Sequence, residues 1–215
     1  DRVLAQRFEA MKKGQAERLM PMIEAEMADD GLPLEALDAI AVGVGPGNFT
    51  GIRIGVSAAR GLALALGFPA IGVTSFEAMR GANSRHAPAR QLVSLPGLRG
   101  GHMLQLFESG REVGAPTSVP DLHGLDWEAL GVTSTTEILG HDADVISELH
   151  PPVYGADGPP WSRSELPMGD LAATLGRIAR SKLAENDDTP RPAPVYIRPA
   201  DAAPSKNTGP KIIPC

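Results

Sequence analysis

The segment that decides the fold spans residues 39–78 and reads AIAVGVGPGNFTGIRIGVSAARGLALALGFPAIGVTSFEA. Residues 39–44 are apolar on both faces, which is typical of a buried central strand. A glycine-rich turn follows at residues 45–51, and an apolar helical pattern then runs from Thr50 to Leu66. Residues 69–73 form a second short apolar run. Strand, helix and strand in this order predict a βαβ unit with two parallel strands.

The next helix has a clear start signal. Thr74 and Glu77 stand three residues apart directly after the second strand. This spacing predicts a capping box, in which each side chain accepts a hydrogen bond from the other residue's backbone amide.

Two further elements are predicted before this segment. Residues 2–8 alternate weakly and favour a short strand. Residues 15–28 show a helical pattern in which Pro21 predicts a kink or a late start. The apolar side chains of that helix are Leu19, Met20, Ile23 and Met27.

The second half of the chain has a different character, and we expect a boundary between two lobes near residues 84–90. The N-terminal lobe would comprise residues 1–86 and the C-terminal lobe residues 87–215, with a disordered tail after about residue 200. Predicted strands cover residues 91–95, 102–107, 137–139 and 195–197, and predicted helices cover residues 142–149 and 169–183. The first two of these strands form a predicted hairpin. Residues 108–135 receive no assignment, and residues 151–167, with five prolines, predict an irregular loop.

Composition limits the classes of function. The chain has 215 residues, 42% of them hydrophobic, and a formal net charge of −6, so it predicts a soluble globular protein without a general positive field for a polyanion. Its only cysteine is Cys215, which excludes an intrachain disulfide and favours a cytoplasmic location. The longest apolar stretch is interrupted by Arg53, Ser57 and Arg60, so we expect no membrane span.

The glycine-rich turn is the first candidate site, and two interpretations are open. A turn that ends in a helix start, with Thr50 as the expected cap, presents backbone amides that suit an anion. The other interpretation, which we favour, is a tight crossover turn that lets the helix pack close to the sheet. No lysine follows as in a P-loop, and the glycine spacing departs from G-x-G-x-x-G. The residues of this candidate site are Gly45, Pro46, Gly47, Asn48, Phe49, Thr50, Gly51 and Arg53.

Residues 42–55, 59–63 and 71–78 together resemble the signature of the TsaB (YeaZ) family. The family usually has Ser where this chain has Asn48, which keeps a small hydrogen-bonding side chain at the turn. Further similarity lies at residues 17–21, at Arg99 and at residues 194–198, whereas residues 108–190 match loosely.

The resemblance implies an α/β fold with the two-lobed actin-like, sugar-kinase-like architecture, each lobe a mixed sheet flanked by helices. It implies a non-catalytic subunit that binds TsaD and works with the ATPase TsaE in forming threonylcarbamoyladenosine in tRNA. It also implies self-association as an alternative pairing, only indirect contact with tRNA, no cofactor and no membrane. The family begins with a strand hairpin that this sequence lacks, so we expect about fifteen further residues in the natural protein.

Two other functions have to be weighed. An ATP-binding kinase or phosphotransferase of the same fold would need a phosphate loop and acidic Mg²⁺ ligands, and neither is identifiable. A glycoprotease-type metallopeptidase would need paired ligands, but His86, His102, His123, His141 and His150 include no H-x-x-x-H pair. The cluster at His141 and Asp142 is interpreted as a solvated loop, so no metal site is predicted.

The apolar helix at residues 50–66 is the second candidate site. At about 100° per residue, Arg53, Ser57 and Arg60 fall on one stripe and small residues lie opposite. We expect the flank of this helix and the first helix to meet a partner protein. The expected interface residues are Leu19, Met20, Ile23, Met27, Ile52, Val56 and Ala63. The alternative is that the chain's own elements cover them.

Overall fold

The computed structural model describes residues 2–29, 31–83, 90–150, 161–162, 170–185 and 190–197. Within these residues the helices are α1 (Gln15–Asp29), α2 (Phe49–Leu66), α3 (Ser75–Asn83), α4 (Ala143–Leu149) and α5 (Leu171–Glu185). The strands are β1 (Ile40–Gly45), β2 (Ala70–Thr74), β3 (Arg90–Pro96), β4 (His102–Glu108), β5 (Arg111–Val119), β6 (Glu137–Gly140) and β7 (Trp161–Ser162). Single 3₁₀ turns lie at Leu34–Ala36 and Leu98–Gly100.

The predicted βαβ unit is confirmed. Strands β1 and β2 pair in parallel, with Ile40 opposite Ala70, and α2 connects them. The two faces of this small sheet are covered by different helices, which explains why β1 is apolar on both sides. On one face α2 contributes Val56 and Ala59 to a cluster with Val42 and Val44. On the other face α5 contributes Ala179 to a cluster with Ile71 and Val73.

The second sheet has five strands in the order β5-β4-β3-β6-β7. The predicted hairpin is confirmed as β3 and β4, which pair antiparallel, and β6 lies parallel to β3 on the other side. Strand β5 falls in the stretch left unassigned, because its outward positions are exposed and its pattern lacks apolar alternation. The predicted strand at residues 137–139 and both predicted helices of this half are confirmed as β6, α4 and α5.

The two faces of the larger sheet carry separate cores. One core packs beneath α4, with Leu92, Leu106, Ile138 and Ile146 among its members. The other contains Phe76 and Met79 of α3 together with Val93, Phe107 and Leu139 of the sheet. Helix α3 also contacts β1, β2 and α5, so this one helix packs against elements of both sheets.

Two predicted strands are wrong. Residues 2–14 contain neither helix nor strand, since a strand requires a row of backbone partners that this segment does not find among the described residues. Instead, Arg7 pairs with Glu26 and Asp29 and holds the segment against α1. Residues 195–197 are also not a strand, and Val195 makes a backbone hydrogen bond of 2.9 Å to Val44.

Helix α1 starts at Gln15 and contains Pro21, so the proline does not delay its start. The expected lobe boundary falls mostly on residues 84–89, which lie outside the described residues, as do residues 151–160, residues 163–167 and the tail after residue 200. The division into lobes therefore stays a prediction. By length and composition alone α2 could cross a membrane, a property that core helices of soluble proteins share.

Candidate functional site

The glycine-rich turn places the start of α2 directly at the end of β1. Gly45 has φ of 90°, and a Cβ at this position would lie 2.6 Å from Cδ1 of Ile52. Only glycine fits a position that combines this backbone conformation with so close an approach. The Gly45–Pro46 peptide bond is cis. Further along, Gly55 faces Val42 at contact distance, so the absence of side chains lets α2 lie close to the sheet.

The cap of α2 is Asn48, and the expectation of Thr50 as the cap is wrong. Oδ1 of Asn48 accepts a hydrogen bond of 2.8 Å from the Gly51 amide, while Thr50 already lies inside the helix. Asn48 has extended backbone angles, as a cap residue requires. The sequence shows both candidates two residues apart, and only the point where the backbone turns helical decides between them.

The geometry of the turn favours the crossover interpretation over an anion site. The Gly51 amide, one of the unpaired donors at the helix start, is satisfied by Asn48. The carbonyl oxygen of Pro46 accepts a hydrogen bond of 2.8 Å from the Ser75 hydroxyl, which joins the turn to α3. The Pro46 carbonyl oxygen is bonded to Ser75, and the Gly51 amide is bonded to Asn48. The turn therefore has fewer free groups that could bind a phosphate.

Arg53 belongs to an aromatic cluster at the outer side of the turn. Its guanidinium carbon lies 3.8 Å above the centroid of the Phe49 ring, and its Nε donates a hydrogen bond of 2.9 Å to the Tyr196 hydroxyl. The Phe49 and Tyr196 ring centroids are 5.5 Å apart. The structure thus brings together two segments far apart in the chain, a neighbourhood that the sequence did not reveal.

A shallow apolar cleft lies beside this cluster. It runs from the turn to the loop between β3 and β4 and to the segment around Tyr196. Its lining residues are Pro46, Gly47, Phe49, Ile52, Pro96, Gly97, Leu98, Met103, Ser118, Val195, Tyr196 and Ile197. Arg99 stands in the same loop, exposed, with φ of 55°.

Acidic groups next to the turn form a linked network. Thr74 and Glu77 make the predicted capping box, with hydrogen bonds of 2.8 Å and 3.1 Å. Lys182 of α5 bonds to the Glu77 carboxylate at 2.7 Å. The pKa of Glu112 on β5 is raised by partial burial and secondarily by the negative charge of Glu77, while Lys182 and a hydrogen bond from Thr74 act in the opposite direction.

The apolar face of α1 is only partly covered. No residue of this helix is buried, and its four expected interface residues, Leu19, Met20, Ile23 and Met27, are all half-buried. A groove between the two helices is lined by Ala16, Leu19, Met20, Arg53, Ile54, Ser57 and Ala58. Helix α1 therefore covers one flank of α2, while part of its own apolar face stays accessible.

The three expected interface residues of α2 differ in how deeply they are buried. Val56 is 3% exposed and packs into the core against β1, so its assignment to a partner interface is corrected. Ile52 is half-buried and packs against the same core. Ala63 is half-buried and lines a groove that continues toward Pro69 and Pro192. The side of the helix expected to meet a partner is in part the side that meets the sheet.

Leu64 is the residue that the sequence reasoning missed. Its side chain is 83% exposed, on the side of α2 that also carries the exposed Arg53, Ser57 and Arg60. An apolar helix with only Val56 and Ala59 buried leaves most of its surface without a covering element among the described residues. We call the accessible parts of α1 and α2, Leu64 included, the α1–α2 surface.

Comparisons with known proteins give a family model named TsaD and relatives named TsaB or YeaZ. The family model described as "TsaD: tRNA N6-adenosine threonylcarbamoyltransferase" matches residues 3–111. The chain is 30% identical over 162 residues to the Bacillus subtilis protein named tRNA threonylcarbamoyladenosine biosynthesis protein TsaB, which covers 74% of this chain and 70% of the relative. The Escherichia coli protein of the same name is 37% identical over 89 residues, which is 41% of this chain.

The matched length differs among relatives. The chain spans only 38% of the E. coli relative and 37% of a Mycobacterium tuberculosis relative to which it is 44% identical. The fold extends further than these alignments. A solved structure described as YeaZ from Pseudomonas aeruginosa superposes with a TM-score of 0.59 over 88% of this chain and 87% of that one, at 24% identity. The mixed α/β fold with flanking helices is thus shared along most of the chain.

Proposed function

This chain belongs to the TsaB (YeaZ) family, and on that premise we propose that it is a non-catalytic subunit that binds a TsaD homologue in the complex forming threonylcarbamoyladenosine in tRNA. The relatives' names supply the pathway. The division of labour within the complex, and the partners TsaD and TsaE, are our inference.

The observation that carries the proposal is the α1–α2 surface. Leu64 is 83% exposed and the apolar residues of α1 are only half-buried, a pattern that fits a surface meeting a partner. Helix α1 buries no residue, although its apolar residues recur at helical spacing, and α2 exposes Leu64, although this helix is apolar over most of its length. Two helices from each of two subunits can bury such faces as a four-helix bundle.

A non-catalytic role is supported by the chemistry of the turn. The Asn48 side chain accepts the hydrogen bond of the Gly51 amide, and no lysine follows the turn as in a P-loop. Threonylcarbamoyl transfer and ATP hydrolysis would then belong to TsaD and TsaE. The net charge of −6 is consistent with a subunit that leaves the tRNA contact to its partner.

The experiment is an omission series with purified proteins. Full-length protein from the natural host, its TsaD and TsaE homologues and the remaining substrates are combined, and each protein is left out in turn. We expect modified tRNA only when this protein and TsaD are both present, and none from this protein alone. Turnover by the isolated subunit, surviving repeated chromatography, or full activity without it would overturn the proposal.

A further inference from the structure

Three potential metal ligands converge at one end of the larger sheet. His102 begins β4, and His141 and Asp142 directly follow β6. Nε2 of His102 lies 3.0 Å from Oδ2 of Asp142, and Nε2 of His141 lies 3.4 Å from the same oxygen. The ligand atoms of all three residues lie within 4.8 Å of one another.

The topology of the sheet produces this meeting. Strands β3 and β6 are parallel, so their carboxyl ends share an edge, and antiparallel β4 begins at that edge with His102 opposite Pro96. Gly140 has φ of 95°, and a Cβ there would lie 2.3 Å from the Ser94 carbonyl oxygen. The next backbone amide, that of His141, donates a hydrogen bond of 2.9 Å to the same oxygen. This bond fixes the position of the His141 backbone at the end of β6.

Packing alone does not account for these side chains. His102 is 7% exposed, and its Nδ1 has no hydrogen-bond partner among the described residues. The nitrogen of His102 that faces Asp142 is Nε2, so Nε2 and not Nδ1 would be the ligand atom of a metal bound here. Asp142 has φ of 52° and stands at the N-cap of α4, yet makes no capping hydrogen bond there. Its carboxylate turns to the two histidines instead.

We propose that His102, His141 and Asp142 form a binding site for a divalent transition metal ion of the Zn²⁺ class. Two imidazoles and one carboxylate are ligands that Zn²⁺ and its neighbours accept, and three protein ligands leave a fourth position for water. A tetrahedral ion about 2.1 Å from each donor would separate the donors by roughly 3.4 Å. The two separations to Asp142, 3.0 Å and 3.4 Å, lie close to that value, and the separation between the two imidazole nitrogens is within 4.8 Å.

This inference differs from the expectation that His141 and Asp142 form a solvated loop without a metal. The sequence placed those two residues together but gave no sign of His102, which reaches them only through the pairing of the strands. The chain also supplies a matched control. His123 and Asp121 form a similar pair, with Nδ1 and Oδ1 3.0 Å apart, but both are exposed and no third ligand joins them in the described structure.

The test is titration calorimetry with ZnCl₂ on tag-free full chain that has been stripped with a chelator. All variants carry Cys215→Ser so that a thiol cannot compete. We expect one ion per chain, an affinity at least about tenfold weaker in His141→Ala and in Asp142→Asn, and no change in His123→Ala. Cobalt(II) absorption should report the same stoichiometry, and circular dichroism checks the fold of each variant.

His141 is partly exposed, so its replacement decides the outcome even if the Asp142 variant does not fold. The proposal is overturned if the parent chain binds no ion, if His141→Ala binds as tightly as the parent, or if His123→Ala loses affinity to the same extent.

Discussion

At the scale of single residues, Asn48 determines how α2 begins. Its side chain satisfies the Gly51 amide at 2.8 Å, and no other described side chain does so. The cap residue is also the one position in the turn where the chain differs from the serine usual in the TsaB family. Either side chain can accept the same hydrogen bond.

Replacing Asn48 by Ala should lower the free energy of unfolding by about 1 kcal/mol, because the Gly51 amide loses its acceptor. Asn48→Ser should change it by no more than a few tenths of a kcal/mol, since serine is a comparable cap. Urea unfolding followed by circular dichroism measures both. If serine destabilises as much as alanine, the cap is not what Asn48 contributes.

Glu112 gives a pH-dependent prediction. Its pKa is raised above 4.5 in the folded state, chiefly by partial burial, so the folded protein holds this proton more tightly than the unfolded chain does. Ionised Glu112 therefore costs stability, and that cost grows as pH rises from the ordinary carboxyl pKa through the folded one. Because the side chain lies at the surface, the effect is small.

Glu112→Gln should raise Tm at neutral pH, and the gain should disappear as the solution is acidified below the ordinary carboxyl pKa of 4.5. Melting curves across a pH series provide the measurement. Glu108→Gln is the control, since this neighbouring carboxylate pairs with Arg90 and its loss should bring no gain. A gain for Glu112→Gln that is the same at every pH would refute the explanation.

At the scale of elements, Lys182 joins α5 to strand β2 and helix α3. Its Nζ donates hydrogen bonds of 2.9 Å to the Gly72 carbonyl oxygen of β2 and 2.8 Å to the Glu77 carboxylate of α3. Glu77 also accepts from the Thr74 amide, so one carboxylate serves the helix cap and the contact between elements. Few single side chains in the described structure touch three elements in this way.

Lys182→Met should lower the free energy of unfolding by roughly 1–3 kcal/mol, because the Glu77 carboxylate and the Gly72 carbonyl both lose a charged donor. Lys12→Met, in the segment before α1, should change it by less than about 0.5 kcal/mol. Chemical denaturation of the two variants in parallel tests this. Equal effects would mean that the contact contributes little.

The same scale shows what sequence reasoning can reach. Local sequence patterns predicted several elements that are present in the structure: helix α2, strands β1 and β2, the capping box and the β3–β4 hairpin. The strands expected at residues 2–8 and 195–197 failed, because alternation of side chains cannot reveal whether a partner strand exists. Strand β5 was missed for the converse reason, since it finds a partner in β4 despite an exposed and weakly patterned sequence.

At the scale of the whole molecule, the elements form two sheets, and α3 packs against both. The expected two-lobed actin-like division stays a prediction. Local sequence patterns could not predict the contacts between segments that are far apart in the chain. Arg53 reaches Tyr196, and His102 reaches Asp142, only because the strands and the crossover place them there. The candidate interface on α1 and α2 stays a prediction, and the face of α2 was assigned from composition, which cannot tell the sheet side from a partner side.

The measurement that tests the central claim most directly is the affinity of Leu64→Glu for the host's TsaD homologue, by titration calorimetry with the full-length protein. Val113→Glu is the matched control, since Val113 is 40% exposed and lies on β5 rather than on either helix. A charge placed in the core of an interface should weaken association at least about tenfold while the isolated protein stays folded, and the control should bind as the parent does. Parent-like affinity in Leu64→Glu, or an equal loss in both variants, would contradict the account.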